Sequence, residues 1–369
     1  MSLFTDTQPD HPRRSPTAAR VGWILLAIAV VAIIAVSFVR SPYVVQEPGP
    51  VFDTLGTVTI DDEEVPLIDI PLEETFPTTG TLDMLTVSIY GNRERPLTWF
   101  ETATAWLDPS KAVVPVDSVY PVGETVEESS EQSRIQMEVS QQEAIAAALA
   151  ELDYDFTSTL IVEDFFENSP AIGVLEEGDE IVSVNGEKFR YVSQMRAALE
   201  ENGIEKPATF VIKRDGKQLT VEITPVLSDE EPQAPVVGVF LSSEYEFPFD
   251  VTIQLENVGG PSAGQMFALG IIDKLTEGEL NGGENVAGTG TITGEGEIGA
   301  IGGIRQKMYG ALDAGAEYFL APATNCNEVT GHVPDGLTVL SVATLDDSLA
   351  ALEGISSGDL AGIATCPAE

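Results

Sequence analysis

The stretch Glu256–Leu269, ENVGGPSAGQMFAL, permits few local structures. Upstream of it Val251, Ile253 and Leu255 alternate with Thr252, Gln254 and Glu256, which is the period of a half-buried strand. Gly259, Gly260 and Pro261 stop that strand, and a helix-like run with Met266, Phe267 and Leu269 follows. Ser262 therefore stands at a strand-to-helix turn. Glycines at such a turn leave room for a substrate chain beside the serine. The helix start offers unpaired N–H groups and the positive end of a helix dipole at the same spot, which is what an oxyanion needs. A serine in this place is also a preferred N-cap, and Ser262 alone does not separate the two readings.

A second stretch downstream shifts the balance. Gly288–Gly294 (GTGTITG) and Ile301–Ile304 lead into a helix expected over Arg305–Ala314 and closed by Gly315. Lys307 lies in its first turns, with Gly303, Ile304, Gly310 and Ala311 one turn away. Lysines on helices normally face water. Small and apolar neighbours, however, can desolvate an amine, lower its pKa and give the neutral base a serine needs. His332, in GHVPDG, is the one histidine after His11 and has no motif around it, so a Ser-His-Asp triad has little support. Lys274 is a weaker candidate, because it lies about 18 Å along the helix axis from Ser262.

GPSAG at 260–264, TG at 289–290 and IGGIRQK at 301–307 together resemble the proteolytic domain of Lon-type proteases. The resemblance implies Ser262 as nucleophile, Lys307 as general base and Thr289 as a supporting hydrogen-bonding residue. It also implies that Gly260, Pro261 and Ala263 form the oxyanion and substrate loop. Lon-type proteases often carry an acidic residue where this chain has Gly259. The chain also lacks a GxxxxGK[ST] phosphate loop, so the resemblance implies an ATP-independent relative without a cofactor. Ser169–Ala171 (SPA), Gly178–Ile181 (GDEI), Val184–Gly186 (VNG), a helix over Val192–Glu201 and a hairpin about Asp215 and Gly216 resemble, in that order, a bacterial PDZ domain. PDZ domains bind extended peptides by adding a strand to a sheet edge. The family's usual glycine-rich carboxylate loop is not evident before Leu160.

The chain has 369 residues, with 18 Lys and Arg against 60 Asp and Glu, and a net charge of −42. Nucleic-acid binding through phosphate contacts is excluded on that balance. Val21–Val39 is uncharged and preceded by Arg13, Arg14 and Arg20, which is the pattern of a membrane-spanning helix with its N-terminus in the cytoplasm and the rest outside. On that outer side Cys326 and Cys366, the two cysteines, are expected to pair as a disulfide. The nitrogen and sulfur ligands are too few for zinc. Asp61–Glu64 lacks the glycine and spacing of a calcium loop.

The expected fold class is α+β. A cytoplasmic tail over 1–20 and a transmembrane helix over 21–40 lead to a β-rich region over 41–152. A PDZ domain over 153–228, a Lon-type proteolytic domain over 232–353 and a tail over 354–369 follow. Thr79–Tyr90 and a helix over Gln141–Leu152, with Ser140 as N-cap and Glu143 completing a capping box, are similar to the first strands and helix of the protease fold. Glu124–Arg134 reads as a linker or mobile loop. The expected function is hydrolysis of unfolded or extended polypeptides by a Ser-Lys dyad, with the PDZ unit selecting or gating and a homo-oligomer implied by the resemblance. The alternative is a catalytically inactive, membrane-anchored PDZ peptide-binding protein.

Overall fold

The computed structural model describes residues 16–37, 39–228 and 233–367. Residues 1–15 of the expected tail lie outside the described residues. Two units divide the chain: Met1–Pro48 with Val87–Ser129, and Gly49–Thr86 with Ser130–Glu369.

In the first unit, helix α1 (Pro16–Ser37) precedes strand β1 (Tyr43–Asp53). Among the described residues no helix is long and apolar enough to cross a membrane. This corrects the transmembrane helix expected over 21–40, and with it the single-pass topology and the outer location. After strand β2 (Thr81–Tyr90) comes helix α2 (Trp99–Ala105), started by a capping box between Thr98 and Glu101. Strand β3 (Ala112–Pro115) then pairs antiparallel with Tyr43–Gln46.

Helix α3 (Val126–Glu151) begins well before the expected Gln141, so Glu124–Arg134 is not a loop. Thr125 supplies the cap: its hydroxyl accepts from the Glu128 N–H, and the Glu128 carboxylate accepts from the Thr125 N–H. Ser140 consequently lies inside the helix and caps nothing. Ala144, Ile145, Ala148 and Leu149 of α3 are buried, on the face expected from their spacing.

Two larger sheets organise the described residues of the second unit. One comprises β4 (Thr157–Phe165), β5 (Glu180–Val184), β6 (Ala208–Arg214), β7 (Lys217–Ile223) and β8 (Val239–Glu246), in the order β7-β6-β5-β4-β8 and antiparallel throughout. Helix α4 (Val192–Asn202) packs Met195 and Leu199 into its core with Leu160, Val184 and Phe210. Asp179 of the GDEI motif is buried and structural, accepting from both Arg214 Nε at 2.7 Å and Arg214 Nη2 at 2.6 Å.

The other sheet carries the site. Helix α5 (Gly264–Leu275) is followed by β9 (Asn285–Gly288), a hairpin of β10 (Thr291–Ile292) with β11 (Ile298–Gly299), and helix α6 (Ile304–Ala314). Strands β12 (Tyr318–Pro322) and β13 (Thr338–Val342) and helix α7 (Leu345–Ser357) complete it. β13, β12, β9 and β2 lie side by side and run parallel. Side chains alternate between its faces. Leu82, Met84, Val286, Leu320 and Leu340 join a core with α3, α5 and α7, whereas Leu85, Ala287, Phe319, Ala321 and Val339 join another with α6. Helices α5 and α6 thus cover opposite faces of one sheet. Cys326 and Cys366 are disulfide-bonded, and the Pro367 carbonyl accepts from the Thr330 hydroxyl, so the C-terminal segment is tied to the body.

Candidate active site

Ser262 precedes α5 on one face of the sheet and Lys307 lies on α6 on the other. They meet past the carboxyl end of β9, where Thr289 follows Gly288. Lys307 Nζ lies 2.7 Å from Ser262 Oγ and donates to Thr289 Oγ1 at 2.8 Å. The Thr289 hydroxyl donates to the Ser262 carbonyl at 2.9 Å, and the Gly290 N–H donates to the same oxygen at 3.0 Å. A hydroxyl has one proton to give. With that proton on the Ser262 carbonyl, Thr289 can only accept from Nζ, so the lone pair of a neutral Nζ is left for the serine hydroxyl.

Lys307 is 2 % exposed. Burial lowers its pKa from 10.5 to about 7, and no carboxylate contributes to the shift. Desolvation penalises the ammonium more than the amine, which is the means by which a helix lysine becomes a base near neutral pH. The other sequence candidates fall elsewhere. Lys274 Nζ donates to the Leu55 carbonyl at 3.3 Å in the last turn of α5, and His332 is exposed, its ring contacting the Thr330 carbonyl.

The loop before the serine is held by α3. The Gly260 N–H donates to the Ser133 carbonyl at 2.8 Å, and the Ser140 hydroxyl donates to the Pro261 carbonyl at 2.9 Å. Of the three loop residues singled out in the sequence, Gly260 therefore has its N–H engaged, Pro261 has none, and Ala263 caps α5. The Ala263 N–H lies at the positive end of that helix, and the Ser262 N–H lies just before it. Sequence reasoning missed Ser140 because S-x-x-E looks like a capping box, and nothing local shows that its hydroxyl reaches a residue 121 positions away.

Gly259 explains the missing acidic residue. A Cβ there would lie 2.7 Å from the Ser133 Cβ, closer than packed carbons approach. Gly259→Asp is expected to push the serine loop off α3 and lower stability by about 1–3 kcal/mol, read as a lower urea midpoint.

Gly238, with φ +65°, precedes β8, which pairs with β4 and forms the open edge of its sheet.

Residues 257–353 match the family model of the Lon protease (S16) C-terminal proteolytic domain, and residues 134–224 match that of the PDZ domain. The Lon protease of Geobacter metallireducens is 38% identical over 94 residues, 25% of this chain and 11% of that protein. The Lon protease of Lachnoclostridium phytofermentans is 25% identical over 190 residues, 48% of this chain and 22% of that protein. The crystal structure of the PDZ domain of an SdrC-like protein from Listeria monocytogenes is 20% identical, with a TM-score of 0.21, covering 22% of this chain and 85% of that one. This chain thus spans only a small part of the length of the Lon proteases it matches. It carries a Lon-type proteolytic domain and a PDZ domain.

Proposed function

We propose that this chain is a serine endopeptidase that hydrolyses unfolded or extended polypeptides with Ser262 as nucleophile and Lys307 as general base. The observation that carries the reading is the buried Nζ, 2.7 Å from Ser262 Oγ and oriented by Thr289. Neutral Lys307 takes the hydroxyl proton as Oγ attacks the peptide carbonyl carbon. The N–H groups of Ser262 and Ala263 stabilise the oxyanion. Collapse of the tetrahedral intermediate breaks the C–N bond, and Lys307 returns the proton to the departing amine. Water then attacks the acyl-serine ester, again losing its proton to Lys307, which hands it to the serine oxygen. No nucleotide enters these steps, so hydrolysis by this chain is expected without ATP.

The PDZ domain, read as inserted in the catalytic fold between β2 and β9, takes an extended peptide along the open edge of β8. In this reading it selects segments that are already extended.

The test is a serine-directed fluorophosphonate and an unfolded casein substrate, applied to the full chain and to Ser262→Ala. Labelling and hydrolysis that both vanish in the variant support the reading. A wild-type chain that does neither while binding peptide is a PDZ binding protein. Thr289→Val leaves the Ser262 carbonyl and Nζ each short of a partner, and it is expected to slow labelling by about 10–100-fold. Thr289→Ser, which keeps the hydroxyl, is expected to stay within about fivefold of wild type.

A further inference from the structure

Glu143 takes no part in the chemistry above, yet three elements converge on it. From α3 its carboxylate accepts from the Tyr245 hydroxyl at 3.0 Å and from the Gly294 N–H. Tyr245 is the penultimate residue of β8, the edge strand of the PDZ sheet. Gly294 lies in the turn between β10 and β11, four residues after Gly290, whose N–H holds the Ser262 carbonyl. That turn has no slack. A Cβ on Gly294 would lie 2.7 Å from Tyr245 Oη and 2.9 Å from the Tyr191 ring. The next residue, Glu295, accepts from the Ser193 hydroxyl in the first turn of α4.

The other end of the connection is α3 itself. One turn before Glu143, Ser140 holds the Pro261 carbonyl, and two turns further back the Ser133 carbonyl holds the Gly260 N–H. Glu143 thus joins the PDZ edge strand both to the helix that carries the serine loop and to the turn behind Gly290. Its carboxylate is held above the usual range by burial, with nearby Glu295 adding to the shift. A half-buried carboxylate costs stability that an apolar residue would spare, unless its acceptors are needed there.

We propose that Glu143 is a positioning residue that couples the PDZ edge strand, through Tyr245, to the loop carrying Ser262. The ligand it reads is an extended peptide adding to β8. The proposal rests on the reading of Ser262 as nucleophile and of the PDZ unit as a peptide binder.

Tyr245→Phe removes one hydroxyl and keeps the ring, which stacks on Phe247 and meets Phe156 edge-on. Glu143→Gln keeps one acceptor and turns an NH2 towards the other donor. Both variants, with Ile355→Val as a core substitution of comparable stability cost, are compared with wild type as full chains. Amide exchange of residues 256–264 is expected to speed up about fivefold or more in the two variants and to be unchanged in Ile355→Val. The fluorophosphonate labelling rate and kcat on a fluorogenic peptide are expected to fall about tenfold at constant KM. Exchange and labelling at wild-type rates, or the same change in Ile355→Val, would overturn the coupling. The exchange arm needs no activity, so failure of the dyad reading, seen as labelling that survives Ser262→Ala, is distinguishable from failure of this proposal.

Discussion

Replacing Lys307 with methionine is expected to extinguish hydrolysis and covalent labelling, by about 10³-fold or more. Methionine fills a similar volume, but its thioether sulfur is far too weak a base to take the serine proton. The companion result is the pH profile of the wild type. With a pKa of about 7, the amine is protonated and useless as a base in acid. The rate is expected to fall about tenfold per pH unit below about 6 and to level off above about 8. A peptidase assay from pH 5 to 9 measures this limb, and a flat profile would remove lysine as the base.

The same variant is expected to be harder to unfold, and by an amount that depends on pH. In the unfolded chain the amine titrates near 10.5 and in the folded chain near 7. Between those values the unfolded state holds a proton that the folded state lacks, so wild-type stability rises with pH across that window. Below about pH 7 both states are protonated and the penalty of a buried ammonium is complete. Methionine carries neither the proton nor the penalty. Lys307→Met is therefore expected to gain on the order of 4 kcal/mol over wild type near pH 7, shrinking towards zero by about pH 10.5. Guanidinium unfolding of both proteins at pH 7 and pH 10 measures the difference. An equal gain at both pH values would mean that packing, and not charge, is responsible.

The features legible in the sequence are those with local causes. Gly303, Ile304, Gly310 and Ala311 around Lys307 marked a helix face too small and apolar for a solvated amine, and Lys307 is buried. The helix at Val192 and the hairpin at Asp215 follow from spacing and turn residues. Long-range partners were not legible. Thr125 with Glu128 and Ser140 with Glu143 offer the same capping pattern, and only the Pro261 carbonyl and the Gly294 N–H decide that the first pair caps while the second reaches across the fold. The edge strand β8 escaped notice because it follows the rest of the PDZ sheet in sequence. The uncharged run after Arg20 read as a bilayer span on composition, and no described helix meets that requirement.

The pairing of β2 with β9 joins Thr81 to Asn285, 204 positions apart. On the ribosome, at about 5–20 residues per second, β2 waits roughly ten to forty seconds for that neighbour. The PDZ pairings are closer in sequence, Arg214 with Lys217 for instance, and all of their strands are made before Asn285. High contact order thus falls on the catalytic sheet, which closes late and slowly. Ser262 and Lys307 have no common floor until β9 docks, so in the proposed reading the dyad is assembled only after the PDZ strands have been made.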